Sequence, residues 1–308
     1  MTRPKRRAPA AAVGPAGRPG TLRAVGVIHV QPKPTIEPEG LAPMPWYVPT
    51  PPPWPREDLR LDRPTSARLA NLALGGKDHL GPDRTLLDLL QAEDQDWTTT
   101  ALRARQDLHR VVRRLAEDGL DQFVDLGCGL TTGAPGSPLA PIHTSILPIR
   151  PTARIAYVDI DPMVMTHARA LLHAPAPGQV RHIRADLTAP EGLLQELRQH
   201  SDVDWQRPIA VVLADVLHEL SDPQARGLFS ALRLALPQGS ALVLTHRCTG
   251  ESDRDARVSG LFAQARLPRH PRGRDAVDTL LDGWQRQAPA HGGDTAVVRT
   301  VVAYGGTK

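Results

Sequence analysis

The chain has 308 residues, room for one large domain or two small ones, and its 41% apolar content is ordinary for a chain with a sizeable core. Aromatic residues make up 4% and the formal net charge is +4, which argues against a base-stacking platform and against a nucleic-acid partner recruited by charge alone. Cys128 and Cys248 form no CxxC pair and no Cys/His cluster has zinc spacing, so no metal site is expected and a reduced, cytoplasmic setting follows.

Residues 1–60 are rich in Pro, Ala, Gly and Arg and include Pro51-Pro52-Pro53. Such a segment lacks backbone donors and cannot bury enough apolar surface to offset its ordering entropy, so it reads as a disordered arm before a folded domain over 61–308. Its basic start is followed by no apolar segment of signal-peptide length, and no later run approaches the ~18 apolar residues that would span a bilayer.

Order is expected near Pro64. A short helix over 64–72 stops at Gly75-Gly76. A second covers Arg84 to Ala92. A third runs from Thr100 to Asp118, with Leu108, Val111, Val112 and Leu115 on one stripe and Gly119 as terminator. These segments, 61–120, are predicted to form a helical cap.

From Gln122 the pattern changes. Short apolar runs at Phe123–Leu126, Ile155–Asp159, Val180–Ala185, Ile209–Ala214 and Ala241–Thr245 alternate with helical patterns at Pro162–Leu172, Glu191–Gln199 and Pro223–Leu236. Strands that are apolar on both faces and alternate with helices predict an α/β fold: a Rossmann-like, mostly parallel sheet over 121–308 with helices on both faces. The run Ala296–Ala303 is expected to form one late strand.

Ligands of open α/β sheets bind at the carboxyl ends of the strands, near the switch point. Three acids fall at such ends. Asp125 opens Asp125-Leu126-Gly127-Cys128-Gly129, where Gly127 and Gly129 permit a tight turn and close backbone approach. Asp159 closes the second strand and can accept both hydroxyls of a ribose. Asp186 follows the third and can accept from an adenine amino group. Asp161 is expected to cap the helix that begins at Pro162. The dinucleotide fingerprint fails, because Thr132 stands where its third glycine would be. A pyrophosphate needs that glycine and an adenosyl thioether does not, so S-adenosylmethionine is favoured over a dinucleotide.

Leu74-Gly75-Gly76-Lys77-Asp78-His79, preceded by Pro64-Thr65-Ser66-Ala67-Arg68, is similar to the Leu-Gly-Gly-Lys-Asp-Asn signature of a family of bacterial S-adenosyl methyltransferases. Gln122 to Leu130, Tyr157 to Pro162 with His167 to Leu172, Ala185-Asp186-Leu187 and Val216-Leu217-His218 resemble its further motifs in order, and Tyr304 to Lys308 resembles its usual ending. The resemblance implies the class I methyltransferase fold, with six or seven strands, and S-adenosylmethionine as cofactor. The chain departs from the pattern in four places. Extra residues at 134–141 fall where the cofactor loop should enter its helix. His143 matches an expected His, but nothing matches its Asn. Ala70 and Leu72 replace aromatics, and the short Arg/Pro-rich segment after Cys248 leaves one late strand frayed or missing.

Methyl transfer from a sulfonium depends mainly on positioning, and a hydroxyl or amine acceptor benefits from a base. His218 is the catalytic candidate, titrating near neutrality, with a structural histidine as the other reading. Asp215 either lines the donor pocket or caps a turn. Lys77 and Asp78 read as a glycine-hinged lid that meets the amino-acid end of the donor, or as a surface turn. Cys128 reads as a small filler. The expected function is S-adenosylmethionine-dependent methyl transfer to a small-molecule acceptor, with no nucleic-acid or membrane partner. The alternative is a catalytically degenerate, donor-binding regulatory or scaffolding protein, suggested by the 134–141 insertion. A nucleic-acid methyltransferase is disfavoured because Ala214-Asp215-Val216-Leu217 lacks the Pro-Pro-aromatic motif of base-amine methylation.

Overall fold

The fully apolar runs become buried strands because a sheet covered on both faces has no solvated side. In the computed structural model, which describes residues 59–174, 179–250, 252–287 and 298–305, they form β1 (Gln122–Leu126), β2 (Arg154–Asp159), β3 (Val180–Arg184), β4 (Ala210–Ala214) and β5 (Ser240–Arg247). All neighbouring pairs among these strands are parallel, with Val124 opposite Ala156 on one side and Val211 on the other. A short β6 (Gln285–Gln287) and β7 (Val298–Gly305) extend the sheet antiparallel, giving the order β3-β2-β1-β4-β5-β7-β6. β7 falls on the expected late run, of which Ala296 and Val297 lie outside the described residues. So does the proposed arm up to residue 58. The strand order reverses between β1 and β4, which puts the switch point beside the Gly127–Gly129 turn.

The helices are α1 (Ser66–Ala73), α2 (Gly81–Glu93), α3 (Trp97–Glu117), α4 (His143–Ile146), α5 (Pro162–Leu171), α6 (Pro190–His200), α7 (Asp222–Ala235), α8 (Asp253–Gln264) and α9 (Arg274–Leu280). Side chains alternate across each strand. Val124, Leu126, Val158 and Val211 pack with Leu193 and Leu197 of α6 and Leu228 and Phe229 of α7. Phe123, Ile155, Tyr157 and Val212 face the other way, against Leu108 and Val112 of α3 and Val164 and Ala168 of α5. A third cluster joins Leu69 of α1, Leu86 and Leu90 of α2, Trp97, and Val258 and Phe262 of α8.

Helix boundaries differ from the sequence expectation where polar contacts decide them. α2 begins at Gly81 rather than Arg84 because Pro82 suits its first turn and Asp83 Oδ2 accepts from the Leu80 amide at 2.7 Å. Asp83 also accepts from the Thr65 amide at 3.1 Å and pairs with Arg68 at 2.8 Å, both charges being buried. Arg68 uses its remaining donors on the carbonyls of Leu59, Arg60 and Arg63. Among the described residues, no helix is long and apolar enough to cross a membrane.

Candidate active site

One cavity of about 550 Å³ opens over the carboxyl ends of the parallel strands, a size that suits a small-molecule site. Its floor is Gly127–Thr131 after β1, Asp159–Asp161 after β2, Ala185–Thr188 after β3, and Ala214–Val216 with His218–Leu220 after β4. It continues past Thr245, His246 and Arg247 of β5 to a wall made by α1, α3 and the end of α8.

The two glycines of the turn are needed for different reasons. Gly127 has φ +72°, and a Cβ there would meet Val216 at 2.6 Å, so this position has no room for a side chain. Gly129 has φ +62° with nothing within 4 Å of a Cβ, so its backbone faces open space that a ligand can approach.

Asp159 reaches back to this turn. Its Oδ2 accepts from the Gly129 amide at 3.0 Å and its Oδ1 from the Asp161 amide at 3.0 Å. Burial pushes its pKa up to about 6, although the backbone amides of Asp161 and Gly129 pull it down. Asp161 caps α5 as expected, accepting from the Met163 amide at 2.8 Å. Asp186 lines the cavity with Oδ1 engaged by the amide and hydroxyl of Thr188, each at 2.8 Å.

Asp125 is placed differently from the other two acids. It is buried in β1 on the side of Phe123, outside the cavity wall, and neither carboxylate oxygen has a hydrogen bond. Burial raises its pKa to about 6, opposed by Arg105 of α3 and assisted by Asp159. Arg105, which no sequence motif marks, does line the cavity. It donates to the Ala140 carbonyl at 2.8 Å and keeps an unpartnered Nε. An orphaned buried guanidinium nitrogen beside an open glycine turn suits the carboxylate end of an amino-acid ligand.

The Gly75-Gly76-Lys77-Asp78 loop lies at the same end of the sheet but outside the cavity wall. Asn71 joins it to the turn. Its Nδ2 donates to the Leu130 carbonyl at 3.0 Å and its Oδ1 accepts from the Asp78 amide at 3.0 Å. A Cβ on Gly76 would strike the Asn71 side chain at 2.2 Å. Thr132 Oγ1 lies 3.5 Å from Asp78 Oδ2.

His218 lines the cavity, edge-on to Phe262 and 3.8 Å from Asp215. Contrary to the sequence expectation, it does not titrate near neutrality. Burial, then Arg269, Arg247 and Arg272, hold its pKa at about 3. None of these cations is near it in sequence, so the residues around His218 carry no sign of the shift. Asp215 does line the pocket, in a left-handed conformation with φ +53° that its amide secures by donating to the Thr245 carbonyl at 2.9 Å. Glu219, one position beyond the expected histidine, is a further cavity acid. Burial raises it to about 7, against a hydrogen bond from Ser66.

His143 is remote from this chemistry. It is buried with Nδ1 3.0 Å from the Tyr157 hydroxyl, and burial lowers its pKa to about 4. The 134–141 segment leaves and rejoins the chain through the Gly133 amide, which donates to the Leu139 carbonyl at 2.9 Å, and none of it enters the cavity wall. The helix after it is reduced to α4, but Gly127–Thr131 keep their place, so nothing favours the degenerate alternative. Cys128 is buried in the turn, its thiol pushed up first by burial and then by Asp159 and Asp125, as a filler would be.

These residues fit S-adenosylmethionine: an open glycine backbone, a cavity-lining acid at the carboxyl end of each of β2 and β3, and an orphaned arginine nitrogen converge on one cavity. The chain resembles two solved structures over most of its length. A candidate methyltransferase from Thermobifida fusca YX is 28% identical, with a TM-score of 0.71 over 82% of this chain and 99% of that one. A DUF574 family protein from Streptomyces avermitilis MA-4680 is 25% identical, with a TM-score of 0.71 over 80% of this chain and 99% of that one. No curated protein matches the chain. The model of the S-adenosyl methyltransferase family matches residues 52–290, and with that span joined to the fold and cavity above, the chain belongs to this family and is an S-adenosylmethionine-dependent methyltransferase.

Proposed function

We propose that the chain methylates a small molecule held between the β5 end of the cavity and the wall formed by α1, α3 and α8. The observation that carries this reading is the cavity itself, which runs beyond the donor turn and is covered on the acceptor side by helices. Such a cover leaves room for a small molecule. In this role residues 61–120 act as the cap of a class I methyltransferase fold with a seven-stranded sheet.

When bound, S-adenosylmethionine supplies an electrophilic methyl group on a sulfonium. Asp159 takes the ribose hydroxyls, Asp186 the adenine amino group, and the Gly127–Gly129 backbone with Arg105 the amino-acid end. Asp125 acts through Arg105 rather than by contact, holding its guanidinium at the cavity edge. Glu219 and Asp215 give the floor the negative charge that suits a cationic donor. His218, held neutral, accepts a hydrogen bond from the acceptor and orients it; a group with a pKa of about 3 is a weak general base. Most of the rate then comes from alignment. Lys77 and Asp78 form a lid edge that Asn71 latches to the donor turn.

Calorimetry with S-adenosylhomocysteine tests this assignment. Asp159→Ala is expected to weaken binding by about 1.5–3 kcal/mol, the cost of losing hydrogen bonds to a charged acceptor. Unchanged affinity would show that the ribose lies elsewhere.

A further inference from the structure

Beyond the donor site, the acceptor end of the cavity holds cations in unequal states. Arg247 is spent: it pairs with Asp94 at 3.1 Å, donates to the Trp97 carbonyl at 2.7 Å, and stacks on the Trp97 ring with its guanidinium carbon 4.1 Å from the centroid. Arg269 is held by rings alone. Its guanidinium carbon lies 4.6 Å from the Phe262 centroid and 5.6 Å from that of Trp97. Among the described residues it has no hydrogen bond or ion pair, and its Nε is buried without a partner. Stacking fixes a guanidinium through its faces and leaves the donors on its edge unused. Beside it, His246 is 1% exposed, and both its ring nitrogens lack partners although it lines the same cavity. A buried donor set without partners is costly unless a ligand completes it.

We infer that the methyl acceptor is a small organic oxyanion, a carboxylate or phosphate monoester, whose negative group is taken by Arg269 and whose polar substituent meets His246. This inference rests on the reading of the β5 end as the acceptor site. The groups facing Arg269 are Asp215 and Asp255, which oppose an incoming anion, and Arg247, which favours one. Asp255 is itself engaged by Ser252 and the Gly250 amide, and Asp215, whose ion pair is with His218, forms none with Arg269 among the described residues. The anion therefore meets an arginine fork that no protein carboxylate occupies. Planar bidentate recognition of this kind is strong and selective for oxyanions over neutral isosteres.

The test titrates benzoate, phenyl phosphate and neutral benzamide into the full chain, each with and without saturating S-adenosylhomocysteine, using calorimetry. One or both anions are expected to bind at least about tenfold more tightly than benzamide, and Arg269→Gln is expected to lose that preference about tenfold while its S-adenosylhomocysteine affinity stays within about threefold of wild type. Arg269→Lys, which keeps charge but not the fork, is expected to fall between the two. Preference for benzoate or for phenyl phosphate identifies the oxyanion. Equal binding of anions and benzamide, or an anion preference that survives in a folded Arg269→Gln, overturns the inference. Loss of S-adenosylhomocysteine binding in the wild type would instead overturn the donor assignment, and the anion titrations without it would still decide this one.

Discussion

Asn71 and Leu130, 59 residues apart, are joined by a 3.0 Å hydrogen bond that ties α1 to the turn after β1. The other end of the same amide holds the Asp78 backbone, so one side chain links the Gly-Gly loop to the donor turn. Asn71→Ala is expected to leave the Leu130 carbonyl and the Asp78 amide without this partner, weakening S-adenosylhomocysteine binding by about 1–3 kcal/mol. Calorimetry on a variant whose melting is also followed separates the effects. Full affinity in the variant would mean that the latch has no bearing on the donor.

The two turn glycines are expected to fail in different ways. Gly127→Ala drives a methyl group into Val216, so its main cost is stability, beyond the about 1–2 kcal/mol of a left-handed alanine. Gly129→Ala pays the conformational cost alone but places its methyl group in the open cavity, so its main loss is donor affinity. Thermal melts beside donor titrations distinguish them. Identical profiles for the two variants would show that both positions are limited by backbone conformation.

Glu219 is expected to set a pH dependence of donor binding. Its pKa of about 7 is raised by burial, so it is mostly protonated below that pH and charged above it. A cationic donor favours the charged form, so affinity rises as pH increases through about 7 and binding releases a proton. Glu219→Gln is expected to flatten this step. Calorimetry in two buffers of different ionisation heat reads the proton directly; release that persists in Glu219→Gln would assign it to another group, with Asp159 next in order.

The Arg68–Asp83 pair is expected to behave as a structural joint. Asp83→Ala strands a buried guanidinium and frees two amides, at a cost of about 3–5 kcal/mol. The double variant Arg68→Met with Asp83→Leu is expected to recover little, because Arg68 also serves three loop carbonyls. Denaturant melts check this, and full recovery would mean that the pair alone carries the energy.

The strands were legible because burial on both faces leaves nearly uninterrupted apolar runs, such as Ile209 to Ala214. α8 and α9 were not, because only Val258 and Phe262 of α8 and Val277 and Leu280 of α9 are buried, too few to make a stripe amid Arg and Asp. At the site, Asp159 and Asp186 could be found from their places at strand ends, since topology alone brings those ends together. Asp125 shares the face of Asp159 but sits opposite Tyr157, two register positions short of it, and is buried inside the sheet, a difference of depth that a glycine-rich motif conceals. Arg105, His246 and Arg269 come from a helix, a strand and a loop with no shared motif. Only folding brings them to one cavity, where burial first and Arg269 next lower the pKa of His218.

The Arg247–Asp94 bridge spans 153 residues, and this has a consequence for synthesis. A growing chain that has emerged only through β4 already holds the donor turn, the strand-end acids Asp125, Asp159 and Asp186 and the helices α1 to α3. It lacks His246, Arg247 and Arg269. Contacts of such long sequence separation form late, so the turn after β1 and the strand ends beside it can assemble on the ribosome well before the β5 end of the cavity.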